Sequence, residues 1–466
     1  MAFTLLDLLT ATAGDVQTSG LSADVSSKAL MRVVTDHRDV RPGDVFWGLQ
    51  GTKLNGSKFA PHALKAGAAG VVVDCETKPV NDRWVVRVPD TLRALEQLAA
   101  VVRSGFDGTV IAVTGSVGKT TTREMIHAAL GATIRGKASP KNYNNQVGLP
   151  LSMLTLEPEH DYLALEMGAS APGEIARLAA LAKPHIGVIT SVGQAHLGGF
   201  GGQEALANAK AELLEALPED GLAILPHEDR WLRKLAGKSR ASVLWAGRGS
   251  ENTVTAQSVR CQDGWLEWKT AGVRYRVRSW GRHHLTSGLM AVAVGQWMGL
   301  APRHIARGLE EFVPCEMRCQ PIERSGITIL NDAYNASPTS MRAALEMLRD
   351  WDHAGRKIAV LGDMRELGTA AVEYHRRVGD QVVTVCGADR LIACGDHAAT
   401  VVASARKAGM PFNRTIACRT REEASGILRD WARPGDAVLI KGSRVLEMEK
   451  LVSVFEDEPP ALRWVA

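Results

Sequence analysis

Residues 110–122 read "VIAVTGSVGKTTT". Val110 to Val113 form a short apolar run that suits a buried strand, and after Lys119 the residues Met125, Ile126, Ala129 and Leu130 recur at the spacing of one helix face. The loop between them therefore opens a helix N-terminus. Free backbone N–H groups and the positive end of the helix dipole favour an anion there, while Gly115 and Gly118 let the main chain approach it closely. Lys119 can then reach the β- and γ-phosphates of a nucleotide, and the Thr120 hydroxyl can hold Mg2+. The general phosphate-loop pattern asks for a further glycine where this chain has Val113. Taken alone, so short a Gly-x-x-Gly-Lys-Thr match is also compatible with an ordinary glycine turn.

Length and composition narrow the field. A chain of 466 residues, at about 150 per domain, suggests roughly three domains. Hydrophobic residues at 45% and charged residues at 23% describe a globular chain with ample core. A net charge of +4 is too small to argue for nucleic acid or an anionic membrane as partner. The start "MAFTLLDLLTATAG" lacks a basic segment and is interrupted by Asp7, so it does not read as a signal peptide. No apolar run approaches the roughly 20 residues that cross a bilayer. Seven scattered cysteines fit a reducing compartment better than a disulfide framework. Cys315 and Cys319 form one close pair, and with no histidine near them in the sequence they read as packing residues. A cytoplasmic enzyme is the expectation.

Strand and helix signals alternate along the chain in three blocks, which predicts an α/β protein. The first block has a turn at "RPGD", strands at "VFWGL" and "GVVVD", a helix over about 60–66, and a stripe of Leu92, Leu95, Leu98 and Val102. It ends in the loop "SGFDG". The second starts with the glycine loop and adds strands at "YLALEM", "IGVIT" and "GLAIL" with helical segments between, implying parallel βαβ units. Its later "GVRYRVRSWG" alternates apolar and charged residues, as an antiparallel strand with one wet face does. The third repeats the rhythm with "ITIL", "KIAVLG", "RLIACG" and "AVLIKG". The expected units are 1–107, 108–312 and 313–466.

Polar residues at strand ends are where open α/β sheets place ligands. Glu166 ends "YLALEMG", His196 follows "VITSVGQ", and Lys210 sits in the helical stretch "ANAKAELLEAL". Each has a plainer reading: a solvated loop glutamate, a structural histidine, and a surface lysine paired with Glu212 or Glu215. Beside a nucleotide loop they gain weight, because Mg2+ needs carboxylate and hydroxyl oxygens next to the phosphates it bridges.

The segments "VTGSVGKTTTREM", "NYNNQVGLPLSML", "EMGASAPGEI", "AHLGGFGG" with "AKAEL", "NDAYNASPTSM", "VLGDMRELG" and "LIKGSRVLEMEK" occur in an order and spacing that resembles the Mur ligases. The likeness is strongest to the type that adds D-alanyl-D-alanine to a UDP-N-acetylmuramoyl tripeptide. The first block resembles that family's UDP-binding domain through "TDHRDVRPGDVFWGLQGTKLNGSKFAPHALKAGA". The resemblance implies three domains: an N-terminal α/β domain for the UDP-sugar, a central P-loop ATPase domain with a mainly parallel sheet, and a C-terminal Rossmann-like domain. It implies an ATP-dependent amide bond made through an acyl phosphate for peptidoglycan, by a monomer that binds no nucleic acid and has no membrane span.

Residue by residue, the resemblance puts Gly115, Ser116, Val117, Gly118, Lys119, Thr120, Thr121, His283, Arg318 and Asp332 at ATP. It puts Thr120 and Glu166 on one Mg2+, and His196 with a carbamylated Lys210 at the second. Asp36, Arg38, Asn144, Asn145 and Asn335 fall where the muramoyl substrate is held. Lys119, Glu166, His196 and Lys210 carry the catalytic roles, while Tyr334 and Lys441 lie in matching motifs without an assigned one.

Departures from the family pattern concern recognition rather than ATP chemistry. The first-domain Asp-Ser-Arg is here Asp36, His37, Arg38, and Asp-Gly-His is here Asn55, Gly56, Ser57. After Gly281 the family reads His-Asn with another asparagine three residues on, where this chain has His283, His284 and Ser287. Met317 replaces the glycine before the arginine. The readings that compete with this ligase are a related ligase of the diaminopimelate-adding or folylpolyglutamate type, a P-loop kinase, and a nucleotide-dependent switch that binds ATP without amine-dependent turnover.

Overall fold

Apolar runs of four to six residues become buried strands, and the amphipathic stretches between them cover the resulting sheets. The computed structural model describes residues 3–12, 15–18, 30, 32–80, 83–194, 200–352 and 354–455. The first sheet contains β1 (Asp15–Thr18), β2 (Val33–Val34), β3 (Val45–Trp47), β4 (Gly70–Val73) and β5 (Trp84–Arg87) in the order β1-β5-β4-β3-β2. Only β1 runs antiparallel to its neighbour. The predicted helix over 60–66 is present as Ala60–Ala66. The helix Thr91–Ser104 starts on Asp90, whose carboxylate accepts the Leu92 and Arg93 N–H groups. It buries Leu95, Leu98 and Val102 as expected, with Leu92 half-buried.

The central sheet is wholly parallel. Its strands β6 (Thr109–Thr114), β7 (Gly136–Ala138), β8 (Tyr162–Glu166), β9 (Ile186–Ile189), β10 (Leu222–Leu225) and β11 (Ser242–Trp245) run in the order β11-β10-β9-β6-β8-β7. The chain enters at β6, builds β7 and β8 on one side, then crosses to β9 on the other. The carboxyl ends of β6, β8 and β9 thus flank a topological switch point, where such sheets bind ligands. An antiparallel ribbon follows, made of β12 (Gln257–Gln262), β13 (Trp265–Thr270) and β14 (Val273–Arg278). In β14 Tyr275 and Val277 are buried while Arg274 and Arg278 are exposed, the alternation its sequence predicts. The ribbon packs on the helix Leu285–Trp297, where Gly288 leaves room for the Trp268 ring.

The last sheet runs β15-β16-β20-β17-β18-β19, built from β15 (Gln320–Arg324), β16 (Ile327–Asn331), β17 (Lys357–Gly362), β18 (Arg390–Cys394), β19 (Thr415–Cys418) and β20 (Ala437–Lys441). Only β15 is antiparallel. Separate apolar clusters cover its two faces. One continuous cluster joins Trp84 and Leu98 of the first block to Leu163 and Leu213 of the second. Arg103 reinforces that junction, because its buried guanidinium donates to the carbonyls of Phe106, Ala182 and Lys183.

Candidate active site

The turn after β6 is held by backbone that only glycine tolerates. Gly115 has φ 140°, and a Cβ there would lie 2.0 Å from Thr190 Oγ1. Gly118, at φ 87°, begins the helix Lys119–Gly131. The loop is laced to the end of β9: Ser116 N donates to Ser191 O at 2.9 Å, and Thr190 Oγ1 donates to Val117 O at 2.6 Å. Lys119 Nζ donates to Gly115 O at 2.8 Å. Ser116 Oγ is buried with no hydrogen-bond partner among the described residues. A donor of that kind beside a helix N-terminus fits a phosphate oxygen.

Glu166, at the carboxyl end of β8, faces this turn. Its Oε2 accepts from Thr120 Oγ1 at 2.7 Å and from Arg123 Nη1 at 3.3 Å, and its Oε1 accepts from Asn144 Nδ2 at 2.7 Å. The solvated-loop reading of Glu166 is therefore wrong, since the residue is buried. The last sheet contributes from β16 and β20. Lys441 Nζ donates to Asp332 Oδ2 at 2.6 Å and to Asn335 O at 2.9 Å. Arg318 crosses to the central unit, donating from Nη2 to Thr120 Oγ1 at 3.0 Å, with its guanidinium 4.1 Å from the Tyr334 ring centre. Tyr334 thus acquires a role as the platform that aims Arg318.

Residues 116–121, Asn144, Glu166, His283, Arg318, Asp332 and Asn335 line one cleft of about 700 Å³. The cleft lining carries four basic residues, Lys119, Arg248, Arg318 and Lys441, and four acidic ones, Glu166, Glu228, Asp229 and Asp332, with Lys119 and Arg318 the cations in contact with the loop. Burial pulls the Lys119 pKa down, with Glu166 opposing and Arg318 adding to the effect. Burial, then Lys441 and Arg248, lower His283 to about 4, and burial takes His284 well below its ordinary value.

Other predicted residues lie elsewhere. Asn145 turns its side chain to the N–H groups of Val147 and Gly148, opening the helix Gly148–Met153. Asp36 and Arg38 pair with each other beside the first sheet, and Arg38 holds the Asp36 carboxyl well below the usual range. His196 falls outside the described residues. Lys210, on the helix Gln203–Glu215, is buried, against the surface reading. Its expected surface partners are taken: Glu212 accepts the N–H groups of Gly173 and Ala176, and Glu215 pairs with Lys238. Burial, then the Lys119 charge, bring the Lys210 pKa down to about 7.

Sequence reasoning missed Arg123, whose buried guanidinium donates to Glu166, Glu124 and Lys141 O. Its signal is spacing, three residues after Thr120 and so on the same helix face. Ser287 also gains a partner, Thr122 Oγ1 at 2.8 Å. The reading of Cys319 as a cysteine without histidines near it is corrected by the fold, which sets it beside His283 and His284.

Residues 113–295 match the family model of the Mur ligase middle domain, and residues 317–444 match that of the Mur ligase, glutamate ligase domain. The chain belongs to the Mur ligase family. Among its relatives is a UDP-N-acetylmuramoyl-tripeptide--D-alanyl-D-alanine ligase of Bacillus subtilis, 34% identical over 431 residues that cover 92% of this chain and 93% of that one. Among solved Mur ligases, MurF from Acinetobacter baumannii superposes with a TM-score of 0.84 at 28% identity, covering 98% of this chain and 99% of that one. The MurF ligase from Thermotoga maritima, solved in complex with ADP, gives 0.78 at 28% identity over 92% and 97%.

Proposed function

We propose that this Mur ligase joins D-alanyl-D-alanine to a UDP-N-acetylmuramoyl tripeptide in peptidoglycan precursor synthesis, converting ATP to ADP and phosphate. The observation that carries the reading is the meeting, in one cleft, of a phosphate loop, a buried hydroxyl–carboxylate pair and cations from a second sheet. A carboxylate is a poor electrophile at neutral pH. Its oxygen attacks the γ-phosphorus and displaces ADP; the incoming amine then attacks the acyl carbon, forms the C–N bond as inorganic phosphate is expelled, and loses a proton. Lys119 and Arg318 face the charge that develops on oxygen, where fixed cations in a dry site are most effective.

Thr120 Oγ1 and Glu166 Oε2 are hard oxygen donors in contact at 2.7 Å, and they fit Mg2+. Bound there, Mg2+ would offset the charge of the phosphates. Lys210 suits carbamylation, because the amine that reacts with CO2 is the neutral one and this site favours it. The amine adds CO2 and releases a proton, which turns a cation into an anionic oxygen ligand that works with His196. Asp36, Arg38, Asn144, Asn145 and Asn335 are assigned to the muramoyl substrate, with 1–107, 108–312 and 313–466 as the three working units. No helix among the described residues is long and apolar enough to cross a membrane. We place the enzyme in the cytoplasm, where ATP is available, and take it to act as a monomer.

A heavy-oxygen label tests the chemistry. Tripeptide labelled in its terminal carboxylate should pass one labelled oxygen to the released phosphate. Unlabelled phosphate formed alongside amide product would exclude the acyl phosphate.

A further inference from the structure

Three ligating groups meet in the cleft where neither phosphate nor carboxylate chemistry asks for them. His283 Nε2 lies 3.6 Å from Cys319 Sγ, and the His283 and His284 ring centres are 4.2 Å apart. One donor atom from each of the three residues lies within 4.8 Å of the others. His284 Nδ1 is 2.7 Å from Ser279 Oγ, which leaves Nε2 for the cluster. A tetrahedral ion that holds sulfur at about 2.3 Å and nitrogen at about 2.1 Å sets those two atoms about 3.6 Å apart, and the measured separation is 3.6 Å. Imidazole and thiolate select zinc-class ions, whereas the oxygens of Thr120 and Glu166 select magnesium.

We propose that His283, His284 and Cys319 form a site for a zinc-class divalent ion, distinct from the magnesium site, whose occupation competes with nucleotide. The ion enters as the Cys319 thiol releases its proton to solvent and a metal–sulfur bond forms. The remaining coordination position is open to water. Lys441 and Arg318 oppose a cation here and favour the thiolate, but burial and then Asp332 outweigh them and hold the Cys319 thiol well above its ordinary value, so the ion itself must draw off the proton. Asp332 offsets them, since it holds Lys441 at 2.6 Å and accepts the Cys319 N–H at 3.2 Å. Ser279 is the positioning residue that orients His284, as the outer partners of metal-bound histidines do. The family pattern has asparagine at the place of His284, so the site is a feature of this chain. Competition follows because all three residues line the nucleotide cleft. The competition rests on the nucleotide reading; the metal site does not.

Cobalt titration of the full-length protein tests both. One Co2+ per chain should bind with a thiolate-to-cobalt charge-transfer band that Zn2+ abolishes by displacement. Cys319→Ser, with Cys319→Ala as a second variant should serine disturb the fold, removes the band. His284→Asn removes it as well, and Ser279→Ala weakens affinity by about 10- to 100-fold. Saturating ADP lowers cobalt affinity, and ADP lowers it by the same factor that cobalt lowers ADP affinity. Lack of the band, or its survival in both Cys319 variants, overturns the site. Cobalt affinity unchanged by ADP, in metal-free protein shown separately to bind ADP, overturns the competition.

Discussion

Lys210 shows how far a single residue's role depends on what surrounds it. On a helix and flanked by glutamates, it has the local sequence of a solvated ion pair; in the fold it is buried and its neighbours are engaged elsewhere. If it works as a carbamate, Lys210→Ala and Lys210→Arg should both nearly abolish ligation without unfolding the chain. Activity of the unaltered enzyme should fall when dissolved CO2 is stripped and return with bicarbonate. A surface lysine would forecast a change of no more than about 0.5 kcal/mol. The same group predicts a pH dependence. Its folded pKa of about 7 lies below the ordinary 10.5, so the unfolded chain binds more protons between those values and stability rises with pH across that window. Denaturant titrations of metal-free, CO2-free protein from pH 7 to 10 should show that slope, and Lys210→Met should flatten it while raising stability at pH 7. An unchanged slope would assign it to other groups.

At the scale of elements, legibility followed burial. Strands β6, β8, β9 and β20 are continuous apolar runs with buried interiors, and their sequences announce them. The short edge strands β7 and β11 are half-exposed and mixed in composition, so no periodicity marks them. The phosphate loop and Glu166 were legible because a strand end and a helix start lie next to each other in sequence. Arg318 and Thr120, 198 positions apart, were brought together only by the resemblance that put both at ATP, and the Cys319–His283 contact, across 36 positions, had no signal in the sequence. Helix packing supports the loop from behind. Gly308, on the helix Pro302–Glu310, lies so close to the helix Lys119–Gly131 that an added Cβ would sit 2.2 Å from Ala128 O. Gly308→Ala should therefore cost about 1–3 kcal/mol in chemical denaturation. Gly426→Ala, in the helix Arg421–Trp431 with open space around it, should stabilise by about 0.4–1 kcal/mol. Equal effects at the two positions would contradict this account of the packing.

At the scale of the whole molecule, the cleft exists because the last sheet closes over the phosphate loop. Arg318, Asp332 and Lys441 reach it from one side, and Lys119, Thr120 and Glu166 from the other. Closure keeps water from an acyl phosphate that it would otherwise hydrolyse. Small-angle scattering with ADP and the muramoyl tripeptide bound should match the closed arrangement described above; a curve fitted only by a more open shape would argue against it. Arg318→Ala should weaken nucleotide binding and raise the ratio of ATP hydrolysed to amide formed, read by paired phosphate and product assays. A ratio that stays constant would remove Arg318 from any role in sealing the site.

Which bond this chain makes is decided by a matrix of UDP-muramoyl peptides against amine donors, with phosphate release and product mass read together. Only the tripeptide with D-alanyl-D-alanine should give fast, stoichiometric ADP, phosphate and amide. Equal turnover of a UDP-muramoyl dipeptide with diaminopimelate, or ATP hydrolysis indifferent to the amine, would contradict the proposed ligation.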